Sequence, residues 1–146
     1  YSQMYERLRS FKEKFPNTVF YNGHTGSKFT ADEGAMEKLF YAMDELGLIF
    51  VDSRTTADTK APEVAKKLNK KLLERDVFLD HEIEKTYIRN QLNLVVDIAK
   101  KKGYAIAIGH PHKETLSVLK EAVPYLKNEV EVIYLKDLYY AQNRTN

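Results

Sequence analysis

Hydrophobic and polar positions alternate along this chain in a repeating way. Strand-like apolar runs each end in a cluster of chemically capable side chains. Residues 18–21 lead into Asn22-Gly23-His24, residues 48–51 into Asp52-Ser53-Arg54, residues 72–74 into Arg75-Asp76, and residues 104–108 into Gly109-His110-Pro111-His112. Helix-like segments separate these runs. That order predicts parallel strands with right-handed crossovers, and it places the polar clusters along one edge of one sheet. In α/β folds the carboxyl edge of the strands is where ligands bind and chemistry occurs.

The intervening segments carry helical signatures. Met4, Leu8, Phe11 and Phe15 recur at helical spacing over residues 2–15, and Pro16 stops the run. Thr30-Ala31-Asp32-Glu33 reads as a capping box for a helix with Met36, Leu39, Phe40 and Met43 on one face, ended by Gly47. Pro62 suits a first-turn position. Residues 77–80 read as an apolar loop or a second short strand. Residues 82–102 read as a long helix with Ile88, Leu92, Val95 and Ala99 inward and Gly103 as its stop. The all-apolar run 104–108 suits a strand buried on both faces. A helix from Lys113 to Lys127, interrupted or ended near Pro124, a strand over 130–135 and a short helix over 136–141 complete the order. The pattern describes one α/β domain, with strands that form an open sheet or most of a barrel.

Composition narrows the function classes. The chain has 146 residues, enough for one domain with a real core, and its 43% apolar and 30% charged residues are those of an ordinary globular protein. A net charge of +2 with no basic, aromatic-interleaved stripe argues against nucleic acid as a partner. Lys100, Lys101 and Lys102 complement a helix end. No apolar run approaches the ~20 residues of a membrane span, and no secretory leader is read in the sequence. The absence of cysteine removes disulfides, Fe–S clusters and thiolate zinc sites.

Each cluster carries a functional and a plainer reading. His24, flanked by Gly23 and Gly26, sits in a turn that a ligand can approach closely, and its imidazole suits metal binding or proton transfer; the plainer reading is a turn histidine. The glycines lack the Gly-Lys-Ser/Thr ending of a phosphate loop. Asp52 and Arg54 either pair with each other, or Asp52 orients a histidine or metal while Arg54 binds substrate. Arg75 and Asp76 likewise form an internal ion pair or serve a pocket. His110, held extended by Pro111 at the carboxyl end of the most apolar strand, is the best candidate for a general acid or base. His112 lies beyond it, and His-x-His is a chelating spacing in principle. With no cysteine and no Gly-x-Ser-x-Gly elbow, metal-activated water is more economical than a covalent nucleophile.

Taken together, Asn22-Gly23-His24-Thr25-Gly26-Ser27-Lys28-Phe29-Thr30, Phe50-Val51-Asp52-Ser53-Arg54-Thr55-Thr56, Arg75-Asp76-Val77-Phe78-Leu79-Asp80 and Ala105-Ile106-Ala107-Ile108-Gly109-His110-Pro111 resemble the divergent polysaccharide deacetylase family from about residue 15 onward. Gly23 and Thr25 depart mildly from its Asn-Asn-His-Met-Gly-Ser pattern. The resemblance implies an irregular NodB-like (β/α) barrel, of which this single domain, residues 1–146, is expected to be the C-terminal portion. It implies an upstream Asp-Asp pair that supplies a base and a metal ligand. It casts His24 as a metal ligand for a divalent ion, zinc by expectation, and His110 as the general acid. Asp76 joins His110 as a catalytic residue, with Arg75 orienting Asp76 or touching substrate. Asn22, Asp52, Ser53 and Arg54 are expected at the substrate. Lys28 stands where ordinary deacetylases have a second histidine, a place Asp76 or Asp52 is a candidate to fill.

The implied activity is a hydrolase that removes N- or O-acetyl groups from a carbohydrate, in the periplasm or cell envelope of a bacterium. The competing expectation is a carbohydrate-binding or scaffold domain that kept the fold without the chemistry. A weaker one is a phosphate-handling domain with an anion nest over residues 23–26.

Overall fold

The structure, a computed structural model, describes residues 2–22, 27–70 and 72–144. Helices and parallel strands alternate along it, an α/β architecture consistent with a NodB-like fold. The described strands form a three-stranded sheet of order β1-β2-β3 and a two-stranded sheet β4-β5, in place of the single sheet expected from the sequence. The chain divides into two compact units, one running to Glu74 and resuming at Tyr139, the other spanning Arg75–Leu138.

In the first unit, α1 (Ser2–Lys14) packs on α3 (Glu33–Leu46), with β1 (Phe20–Asn22), the short α2 (Ser27–Thr30), β2 (Ile49–Asp52), α4 (Ala61–Lys67) and β3 (Leu73–Glu74) completing it. The apolar stripe of α3 is the reason it docks. Met36, Leu39, Phe40 and Met43 are all buried, and Phe40 meets Phe50 of β2 edge to face at 5.9 Å. Each such side chain contributes about 1.5–3 kcal/mol by leaving water. The helix is capped by Asp32, whose carboxylate accepts the Ala35 amide at 2.9 Å, and not by Thr30, because Thr30 is the last residue of α2. Gly47 ends it in the left-handed region, φ 67°, which few other residues enter without strain. The parallel register Phe20↔Ile49 and Val51↔Leu73 brings Asn22, Asp52 and Glu74 to the carboxyl end of this sheet.

The second unit holds β4 (Val77–Phe78), α5 (Lys85–Lys102), β5 (Ala107–Ile108) and α6 (Lys113–Glu129). Leu79, Ile88, Leu92, Val118, Ala122 and Leu126 form its buried core between the two helices. Gly103, φ 97°, stops α5 as the sequence predicts. α6 runs through Pro124, which the sequence suggested as an interruption. The final helix, α7 (Leu135–Arg144), begins in this unit and ends in the first, where Tyr139 meets Phe20 edge to face at 6.0 Å.

The predicted strand over 130–135 is not one. Residues 130–134 have no regular structure, and Val132 and Tyr134 are 72% and 77% exposed. Strand propensity expresses packing against neighbours more than a backbone preference, and this segment finds no ladder partner among the described residues. The run 104–108, expected to be buried on both faces, is half-buried instead. Residues 104–107 line a cavity of about 900 Å³ together with Val130 and Val132. No described helix is long and apolar enough to cross a membrane.

Candidate functional site

The short β4–β5 pair of the second unit sets a densely hydrogen-bonded polar site. Phe78 is in register with Ile108, and the Leu79 amide donates to the Ile108 carbonyl at 2.9 Å. Continuing the register brings Asp80 beside His110 at the carboxyl end. The His110 amide donates to Asp80 Oδ2 at 2.6 Å, and His110 Nδ1 lies 2.8 Å from Asp80 Oδ1. Thr115, in the first turn of α6, donates its hydroxyl to Asp80 Oδ2 at 2.8 Å. The Asp80 side chain is 1% exposed, whereas that of His110 is 40% exposed. The pair thus has a sealed inner end and an accessible outer one.

Burial pushes the Asp80 carboxyl up. The donors from the His110 ring, the His110 amide and the Thr115 hydroxyl outweigh that and hold it below the usual carboxylate range. Asp80 is therefore an anion at neutral pH, and it favours the imidazole form that carries a proton on Nδ1. With Nδ1 committed to Asp80, proton exchange with a substrate falls to Nε2.

Asp80, His110 and His112 form a triad able to hold a metal ion. One ligand atom from each lies within 4.8 Å of the others, and the nitrogen-and-oxygen donor set is one that zinc accepts. The three hydrogen bonds to Asp80 commit its oxygens to His110 and Thr115. That is the arrangement of a carboxylate that orients a histidine, whether the histidine handles a proton or an ion.

The structure does not bring Asp76 to this end. It precedes β4 and stands at the amino end of the β4–β5 pair, where its carboxylate accepts Lys102 Nζ at 2.6 Å and the Ile106 amide at 2.8 Å. Arg75 lies beside it, with its guanidinium 4.0 Å from the Phe78 ring centroid and Nη1 3.4 Å from the Asp76 carbonyl. The sequence reading took Arg75-Asp76 as the end of the strand over 72–74. These residues also lead directly into the next strand, β4, and Asp80 lies just beyond the carboxyl end of that one. Applying the carboxyl-edge rule to residues 77–80 would have selected Asp80.

Asn22, Asp52, Ser53 and Arg54 gather at the carboxyl end of the sheet in the first unit. The Asn22 side-chain amide donates to the Val51 carbonyl at 2.7 Å and to the Ser53 hydroxyl. Asp52, 2% exposed, accepts the Arg54 amide and the Thr59 hydroxyl, both at 2.9 Å. Arg54 itself adopts φ 52°, a left-handed conformation that costs energy in a residue with a Cβ, and its guanidinium pairs with Glu74 rather than with Asp52. His24, the expected metal ligand, lies outside the described residues.

The chain has counterparts among known proteins. The sequence model of the divergent polysaccharide deacetylase family matches residues 1–139. The chain belongs to that family. Within reach of it are two curated relatives. The uncharacterized protein YibQ of Escherichia coli (strain K12) is 36% identical over 131 residues, covering 90% of this chain and 41% of that protein. An uncharacterized protein of Haemophilus influenzae (strain ATCC 51907 / DSM 11121 / KW20 / Rd) is 33% identical over 138 residues, covering 94% of this chain and 49% of that one. The chain therefore spans less than half the length of either relative. A crystal structure of an uncharacterized protein from Agrobacterium tumefaciens C58 shares the fold, with a TM-score of 0.75 and 23% identity over 80% of this chain and 48% of that one.

Proposed function

We propose that this divergent polysaccharide deacetylase-family chain takes part in metal-dependent hydrolysis of acetyl groups on a carbohydrate of the bacterial cell envelope. The observation that carries the reading is the Asp80–His110 pair, a buried anion holding a half-exposed imidazole through Nδ1 at 2.8 Å. In deacetylation, water adds to the acetyl carbonyl carbon and gives up a proton to a carboxylate base, the role that the family resemblance assigns to an upstream Asp, and the bond from that carbon to the sugar nitrogen or oxygen breaks. The departing atom needs a proton. His110, as the imidazolium, gives it from Nε2, while Asp80 holds Nδ1–H and stabilises the charged ring. In this reading Asp80, which touches the His110 ring, takes the role expected of Asp76.

A bound divalent ion, zinc by preference, would supply carbonyl polarisation and a more acidic water. His24 is the expected ligand. The triad of Asp80, His110 and His112 offers a second place for an ion, in which case His110 would bind it rather than donate a proton. In this reading Asn22, Asp52, Ser53 and Arg54 serve the substrate, with Asp52 acting from its buried position by holding the turn at Arg54.

The test is acetate release from N- and O-acetylated oligosaccharides, with His110→Ala as the control. General acid catalysis is worth about 10²- to 10⁴-fold, so the variant should lose at least about a hundredfold in kcat. A wild-type rate in His110→Ala removes His110 from the reaction. Acetylated-glycan binding without acetate release favours the carbohydrate-binding reading instead.

A further inference from the structure

We infer that Thr115 is a positioning residue, which fixes the tautomer and orientation of His110 through Asp80. Thr115 is 1% exposed, and its hydroxyl donates to Asp80 Oδ2 at 2.8 Å. The same oxygen accepts the His110 amide at 2.6 Å. Two donors converging on Oδ2 pin the carboxylate plane, and that leaves Oδ1 aimed at His110 Nδ1. An Asp80 with one fewer donor could turn about its last side-chain bond, and the Nδ1–H form of His110 would lose its dedicated acceptor.

The surroundings hold Thr115 in place. A Cβ built at Gly109 would lie 3.2 Å from the Thr115 methyl and 3.3 Å from Leu79 Cδ1, so Gly109 is the gap that lets the strand end and the first turn of α6 close together. The methyl faces Gly109 and the hydroxyl faces Asp80. The two halves of the threonine side chain therefore do separate work, and they can be separated by substitution. Thr115→Val keeps the methyl packing and removes the donor. Thr115→Ser keeps the donor and removes the methyl.

The positional role stands on geometry alone, while any effect on rate rests on the hydrolase reading above. The test is ¹⁵N long-range NMR of the His110 ring in chelator-treated protein at alkaline pH. Wild type and Thr115→Ser are expected to show the Nδ1–H tautomer. In Thr115→Val the tautomer ratio should move about tenfold toward Nε2–H, as expected for loss of one hydrogen bond to a charged group. A folded Thr115→Val with the wild-type ratio overturns the proposal. So does a Thr115→Ser variant that has lost the Nδ1–H form, since the effect would then belong to packing. Thr115→Ala, which also removes the donor, takes the place of the valine variant if that does not fold, and a wild-type ratio in it overturns the proposal equally. If acetate release is observed, kcat should fall about tenfold in Thr115→Val at constant KM and recover in Thr115→Ser. A wild-type protein that releases no acetate defeats the hydrolase reading and leaves the tautomer result to judge Thr115.

Discussion

Asp80 is buried, ionised and held by three donors, so its removal has consequences that can be assigned to a cause. Asp80→Asn keeps the shape but leaves at least one donor facing an amide. It should cost about 1–3 kcal/mol at pH 7 by denaturant unfolding. The pH dependence has a definite sign. Because the carboxyl in the folded protein sits below its unfolded value, its contribution is fully present above about pH 4 and is lost as pH falls through the lowered value. Wild type should therefore lose stability on acidification in that range, and Asp80→Asn should lose less. A parallel acid limb in the two proteins contradicts this account. At this scale the sequence was partly legible. His110 stands out because Pro111 and the apolar run before it fix its place. Asp80 does not, because its significance lies in a cross-strand register and in the hydroxyl of Thr115, a residue thirty-five positions away in sequence.

The short strands are held at both ends by side chains as much as by backbone. At the amino end of the β4–β5 pair, Asp76 ties Lys102 of α5 to the Ile106 amide. Asp76→Asn should lower stability by about 1–3 kcal/mol and leave any acetate-release kcat within about twofold of wild type. A large fall in kcat with unchanged stability would restore Asp76 to a catalytic role. Helices were the readable elements. Their apolar stripes and the glycine stops at Gly47 and Gly103 are local signals, and those of α3 and α5 predict buried faces that the structure shows. The run over 130–135 reads as a strand, yet its apolar composition is only permissive, and a strand needs a neighbouring ladder as well. Its backbone amides should exchange with solvent far faster than those of α5. Protection equal to that of α5 would show a ladder that the structure lacks.

For the whole molecule, the alternation of strand and helix announced the α/β class, and the ordered motifs announced the family that residues 1–139 match. What composition and pattern could not supply is the division into two units. The polar clusters of Asn22, Asp52, Ser53 and Arg54 and of Asp80, His110 and His112 belong to different ones. Metal analysis separates the two possible ion positions. A divalent ion lost on His24→Ala and kept in His112→Ala supports the expected ligand, and the reverse pattern supports the triad. The activity itself rests on the Asp80–His110 pair. The measurement that tests it most directly is acetate release from an acetylated oligosaccharide by wild type, His110→Ala and Asp80→Asn in parallel. The account predicts release by wild type and a fall of at least about a hundredfold in His110→Ala, with a substantial loss in Asp80→Asn. Equal rates in all three proteins, or no acetate from wild type with its metal bound, would contradict it.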